Sequence, residues 1–84
     1  MKRRSDLVIL MDILGAVLDG PKLPTRLAQL CNLSYDNFVK FAGRLESRGL
    51  VKRSLEQGHE LYSVTPDGIQ THRDYVKLID RVRP

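Results

Sequence analysis

The chain of 84 residues has one cysteine, Cys31, with no second thiol to pair with and no Cys or His partners at zinc spacing. A disulfide framework and a zinc finger are both excluded, so the core must be held by packing alone, in a compartment expected to be reducing. Long hydrophobic runs are missing as well. The most apolar stretch, Leu7 to Leu18, follows Lys2-Arg3-Arg4 in the manner of a secretory leader. Asp12 interrupts it, however, Leu18-Asp19-Gly20-Pro21 is not a small-residue cleavage site, and the stretch is too short to span a bilayer. A cytoplasmic chain without a membrane partner is expected. There is no glycine-rich phosphate loop, no nucleophile with a matching base and no pair of carboxylates at a plausible site. No enzyme is expected, and no cofactor, metal or small-molecule ligand is evident. Internal repeats, linkers and low-complexity segments are also lacking.

What is present is ordinary for a folded domain: 42% hydrophobic and 29% charged residues, in a length that suits one small core. Ser5 and Asp6 form a helix start, and the first helix is expected to run to about Asp19, before Gly20-Pro21. It is apolar nearly all round, which predicts burial on most sides. Pro24 opens a short second helix with Leu27, Ala28, Leu30 and Cys31 at helical spacing, ending at Asn32-Leu33-Ser34. Ser34 caps a third helix with Phe38, Phe41, Ala42 and Leu45 on its inner face and Gly49 beyond its end. Two helices joined by so short a turn have the layout of a helix-turn-helix.

After Gly49 the period falls to two. Leu50 to Leu55 and His59 to Val64 read as strands, joined by a tight turn over Glu56-Gln57-Gly58-His59. Thr65-Pro66-Asp67 then starts a last helix reaching about Val82. In that helix the set Ile69, His72, Tyr75, Val76, Leu78, Ile79 and Val82 covers about half the circumference. One docking stripe needs only about 100°. The excess predicts a second burial surface, supplied by another copy of the chain through Tyr75, Leu78, Ile79 and Val82. His72 is expected to be a packing or dimer-seam residue and not to bind a ligand, and Cys31 is expected to be a small buried apolar residue.

The segment Asn32-Leu33-Ser34-Tyr35, with Phe38, Phe41 and Leu45, then Gly49-Leu50-Val51, Tyr62, Val64, Thr65 and Gly68, resembles the small archaeal winged-helix transcription regulators. Arg4-Ser5, Ile9-Leu10 and Asp12-Ile13-Leu14 fit the same pattern, so the likeness covers about residues 4–80. It implies a third helix that enters the major groove of double-stranded DNA, and a homodimer through the C-terminal helices. Two features differ from that family: the last helix is shorter than a long coiled coil, and Ala42 stands where a bulky aliphatic residue is usual.

The distribution of charge points the same way. The net charge of +4 divides into zero over residues 1–20, +5 over residues 21–53 and −1 over residues 54–84. The excess therefore lies in the helix-turn-helix and the strand leaving it, where a phosphate-facing surface is needed. The N-terminal part of a recognition helix reaches base edges, which makes Tyr35, Asn37 and Lys40 the candidates for direct readout. Ser34 is placed to meet a phosphate. Lys40, Arg44 and Arg48, spaced by four, form a basic stripe joined by Thr25 and Arg26. The alternatives are a solvated helix face for the stripe and a lid over the core for Tyr35. On the hairpin, Lys52, Arg53 and His59 are expected to contribute little, because Glu56 and Glu60 lie beside a tip without Lys or Arg.

The expected fold is α+β, mostly α: a winged helix-turn-helix over residues 1–65 and a dimerising helix over 66–84. The expected function is DNA binding by a transcription regulator with helix 34–48 in the groove. A nucleoid-associated protein that coats DNA uses the same residues. A winged-helix module that binds another protein in a transcription or RNA-processing assembly stands as the alternative of a different class.

Overall fold

The computed structural model describes residues 4–83, so Lys2 and Arg3 of the basic N-terminus and Pro84 lie outside it. Six elements follow in the order α1 (Asp6–Val17), α2 (Pro24–Leu30), α3 (Tyr35–Ser47), β1 (Val51–Glu56), β2 (His59–Val64) and α4 (Pro66–Val82). Three hydroxyls start three of the helices. Ser5 Oγ accepts from the Val8 N–H at 3.2 Å, Ser34 Oγ from the Asn37 N–H at 3.2 Å, and Thr65 Oγ1 from the Gly68 N–H at 3.0 Å. Each satisfies an amide that the first helical turn leaves without a partner. The Thr65 hydroxyl also donates to the Gly49 carbonyl at 2.6 Å, tying the start of α4 to the end of α3.

Helix α1 ends two residues short of the expected Asp19. Leu18 and Gly20 turn back onto the carbonyls of Gly15 and Val17, so the chain closes on itself before reaching Pro21. The expected burial on most sides is largely realised. Met11, Ile13, Leu14 and Val17 are buried, Ile9, Leu10 and Ala16 pack against them, and only Leu7 and Leu18 among its apolar residues are exposed. In α2 only Leu27 and Ala28 are buried, and Leu30 is 47% exposed, because a helix of seven residues has room for a single inward turn.

Helix α3 buries Phe38, Phe41, Ala42 and Leu45, the four expected residues. Phe38 meets the Tyr62 ring edge-on at 5.4 Å between centroids, which joins the helices to the hairpin. The hairpin pairs Val51 with Val64 and Glu56 with His59, leaving Gln57-Gly58 as a two-residue turn. Both turn residues have positive φ, 51° and 79°, as that tight connection requires. Lys22 adds a short third rung: its N–H donates to the Tyr62 carbonyl at 3.0 Å and its carbonyl accepts from the Tyr62 N–H at 2.9 Å.

Helix α4 packs its first half on the chain and projects its second half. Gly68 is buried where a Cβ would collide with the Leu50 carbonyl, the His72 imidazole lies against Gly15 of α1, and Tyr75 joins the rim of the core. His72 is thus a packing residue. Cys31 is buried, and burial together with Asp12 raises its thiol pKa, which suits an inert apolar side chain. Among the described residues, no helix is long and apolar enough to cross a membrane, and no group of three metal-ligating side chains occurs.

Candidate nucleic-acid interface

The outer surface of α3 follows from its buried seam. With Phe38, Phe41, Ala42 and Leu45 turned inward, a period of 3.6 residues sets Asp36, Lys40, Gly43 and Ser47 on the opposite side. Tyr35 and Val39 flank that line on one side, and Asn37, Arg44 and Arg48 flank it on the other. All of these residues are exposed. Tyr35 is 51% exposed, so it is not a lid over the core. Ser34 holds the helix start through its oxygen, and its hydroxyl proton remains available to a phosphate.

The basic stripe is not straight. Steps of four residues drift around the helix, so only Lys40 sits opposite the seam, while Arg44 and Arg48 wind toward α1. Arg44 pairs with Asp6 at the start of α1, 3.1 Å away, and with Arg48, Leu10, Met11 and Leu50 it borders a cleft of about 280 Å³. Two cations approach the Phe41 ring, with Lys40 Nζ 5.5 Å and Arg44 Cζ 5.8 Å from its centroid. These distances are in the range of cation–π attraction and hold both side chains near the surface of α3. Among the described residues, Thr25, Arg26, Asn37, Lys40, Arg48 and Lys52 have no side-chain hydrogen bond or ion pair within the chain.

Arg53 behaves differently from Lys52. The two alternate across β1, and Arg53 turns toward α3, where its guanidinium donates to Glu46 at 3.0 Å and to Glu60 at 3.2 Å. The two carboxylates push the Arg53 pKa up and cancel its charge locally. The hairpin therefore meets α3 through a cluster with more negative than positive charge, with the exposed Leu55 beside it.

Two residues on or beside the candidate face were not among those expected from the sequence. Val39, 42% exposed, is an apolar side chain outside the buried seam. Its spacing of four from Tyr35 is the signal that could have found it, since such a pair shares one face. Asp6 was read only as a favourable charge at a helix start, and its partner Arg44 is 38 positions away.

The pairing of Arg44 has a measurable consequence. A phosphate must compete with Asp6 for that guanidinium, and an exposed pair of this kind contributes about 0.2–1 kcal/mol. Asp6→Asn is expected to tighten duplex binding a few-fold, with a melting temperature within a few degrees of the parent. Unchanged or weaker binding in a fluorescence titration would show that Arg44 lies outside the interface.

Three packed helices, the last two forming a helix-turn-helix, followed by a two-stranded hairpin, define a winged-helix protein, with α3 in the recognition position. The chain belongs to the winged helix-turn-helix family, which it matches over residues 3–82. An uncharacterized protein of Methanocaldococcus jannaschii is 31% identical, over 73% of this chain and 69% of its own length. Among solved structures, the chain is similar to BpsR of Bordetella bronchiseptica, a protein whose DNA binding is regulated by 6-hydroxynicotinic acid. The TM-score is 0.79 at 20% identity, covering 87% of this chain and 55% of that one. The transcriptional regulator BldR of Sulfolobus solfataricus gives 0.73 at 22% identity, with 90% and 63% covered. Sso10a-2, a DNA-binding protein of the same organism, gives 0.76 at 20% identity, with 94% and 85% covered. At such identities the likeness is one of fold, and the chain spans little more than half the length of the first two.

Proposed function

We propose that the chain is a transcription regulator that binds double-stranded DNA, in the cytoplasm, with α3 in the major groove. The observation that supports this most is the outer face of α3: Tyr35, Asn37, Val39 and Lys40 stand exposed around its first two turns, in the segment that holds the chain's whole excess of positive charge. These side chains match what base edges offer. Asn pairs with adenine, Lys donates to guanine, and Tyr and Val meet thymine methyl groups. Arg26, Arg48 and Lys52, with the Ser34 hydroxyl, supply contacts to phosphate, and Arg44 joins them when it leaves Asp6. Selection of bound duplexes from a random pool tests the proposal. Enrichment of a motif supports a sequence-specific regulator, binding without enrichment supports a protein that coats DNA, and no binding at low salt rejects both.

The regulator acts as a homodimer through the second half of α4. Leu78 and Val82 are 57% and 69% exposed and Ile79 is half-buried, whereas Tyr75 serves the chain's own core. Large apolar side chains left in water next to one another are what a second copy covers. Sedimentation at micromolar concentration should give twice 9.6 kDa. Leu78→Asp should give the single mass with an unchanged helical signal, and a wild-type chain that sediments as a monomer contradicts the dimer.

A second reading has one observation in its favour. Leu55 is 75% exposed beside the Glu46–Arg53–Glu60 cluster, an apolar and acidic surface suited to a protein partner and not to phosphate. A winged-helix module that binds protein would show no appreciable duplex affinity even at low salt.

A further inference from the structure

Gly43 is the one glycine for which the fold supplies no reason. Gly15 and Gly68 sit where a Cβ would press on His72 or collide with Leu50, and Gly20, Gly49 and Gly58 have positive φ. Gly43 has neither feature. It is exposed inside α3 with ordinary helical geometry, and a Cβ added there would meet no atom within 4 Å. Glycine in a helix interior is unfavourable relative to alanine, because it orders a more flexible backbone and packs nothing. The chain keeps a destabilising residue at the centre of the outer face of α3, one turn from Lys40 and one turn from Ser47.

We propose that Gly43 is the point at which the α3 backbone approaches the duplex most closely, and that it determines how deeply the helix seats. This rests on the DNA-binding reading above. An α-helix with its side chains is about 10–12 Å across, and the major groove is about 12 Å wide. A helix that fills the groove has no slack, so a bare backbone one turn beyond Lys40 lets Asn37 and Lys40 reach base edges instead of stopping at the phosphates. A methyl group at position 43 lifts the helix and lengthens both contacts at once. The cost falls on base readout more than on phosphate attraction, so Gly43 is a residue that determines specificity.

The test compares thermal unfolding and duplex affinity for the wild type, Gly43→Ala and Gly43→Leu, using a duplex selected by the wild-type protein and a scrambled duplex. Both variants should melt above the wild type, Gly43→Ala by about 4–8 °C. Affinity for the selected duplex should fall about tenfold for alanine and further for leucine, with a smaller loss on the scrambled duplex. Stabilised variants that bind the selected duplex as well as the wild type overturn the inference while leaving the DNA-binding reading intact. Variants that melt below the wild type also overturn it, because the glycine would then serve the fold. A wild-type protein that binds no duplex rejects the underlying reading itself. A change in sedimenting mass without a change in duplex affinity assigns the bare face to a protein contact and overturns the proposal.

Discussion

Phe38→Ala is expected to remove a large share of the protein's stability. The side chain is fully buried, stands edge-on to Tyr62, and links α3 to the hairpin. Truncating a buried Phe to Ala costs about 3–5 kcal/mol, through lost transfer free energy and the cavity left behind. A chain of this length has a total stability of only about 4–13 kcal/mol. At roughly 4–8 °C per kcal/mol, the melting temperature should fall by at least ten degrees. Relaxation of the site cannot recover the loss easily, because Phe38 and Leu27 are both fully enclosed and Ala42 on the same seam has no side chain to spare. Circular dichroism melting checks this, and a shift of only a few degrees would mean that the α3–hairpin junction is not the centre of the core.

Lys40→Glu should cause the largest loss of DNA binding. Lys40 is the only basic residue of α3 directly opposite the buried seam, and among the described residues no carboxylate pairs with it. A good side-chain contact to a base is worth about 1–3 kcal/mol. Reversing the charge removes that contact and adds repulsion, twice over in a dimer, so affinity should fall on the order of a hundredfold or more for every sequence. Asn37→Ala is expected to differ in kind, weakening binding to the preferred sequence and leaving scrambled duplexes almost unaffected. Both are measured by fluorescence anisotropy at constant salt. Equal effects of the two substitutions on every duplex would show that α3 does not read bases.

The inward half of the molecule was legible because burial leaves a period in the sequence. Phe38, Phe41, Ala42 and Leu45 repeat at three and four, Thr65-Pro66 announces α4, and Gly58 marks the turn. The fold is accordingly the expected one. Features without a period were not legible. The single rung between Lys22 and Tyr62 has no alternating pattern around it, and Leu30 has the right spacing for burial but falls at the end of a helix too short to carry it inward. The outward half depends on contacts between distant residues. Arg44 and Arg53 look as available as Lys40 in the sequence, and their engagement with Asp6, Glu46 and Glu60 appears only once α1, α3 and the hairpin are placed side by side. Of the stripe of three cations, Lys40 and Arg48 remain unpaired among the described residues and Arg44 is held by Asp6.

The central claim is that α3 lies against phosphates in a duplex, and the salt dependence of duplex affinity tests it most directly. Arg26, Arg48 and Lys52, acting on phosphate-bound counterions in each half of a dimer, neutralise about six charges. Log Kd against log salt concentration should then be linear, with affinity falling at a slope near −5. Arg48→Ala should make that slope shallower by about two. A wild-type affinity that is unchanged between low and physiological salt would contradict the account.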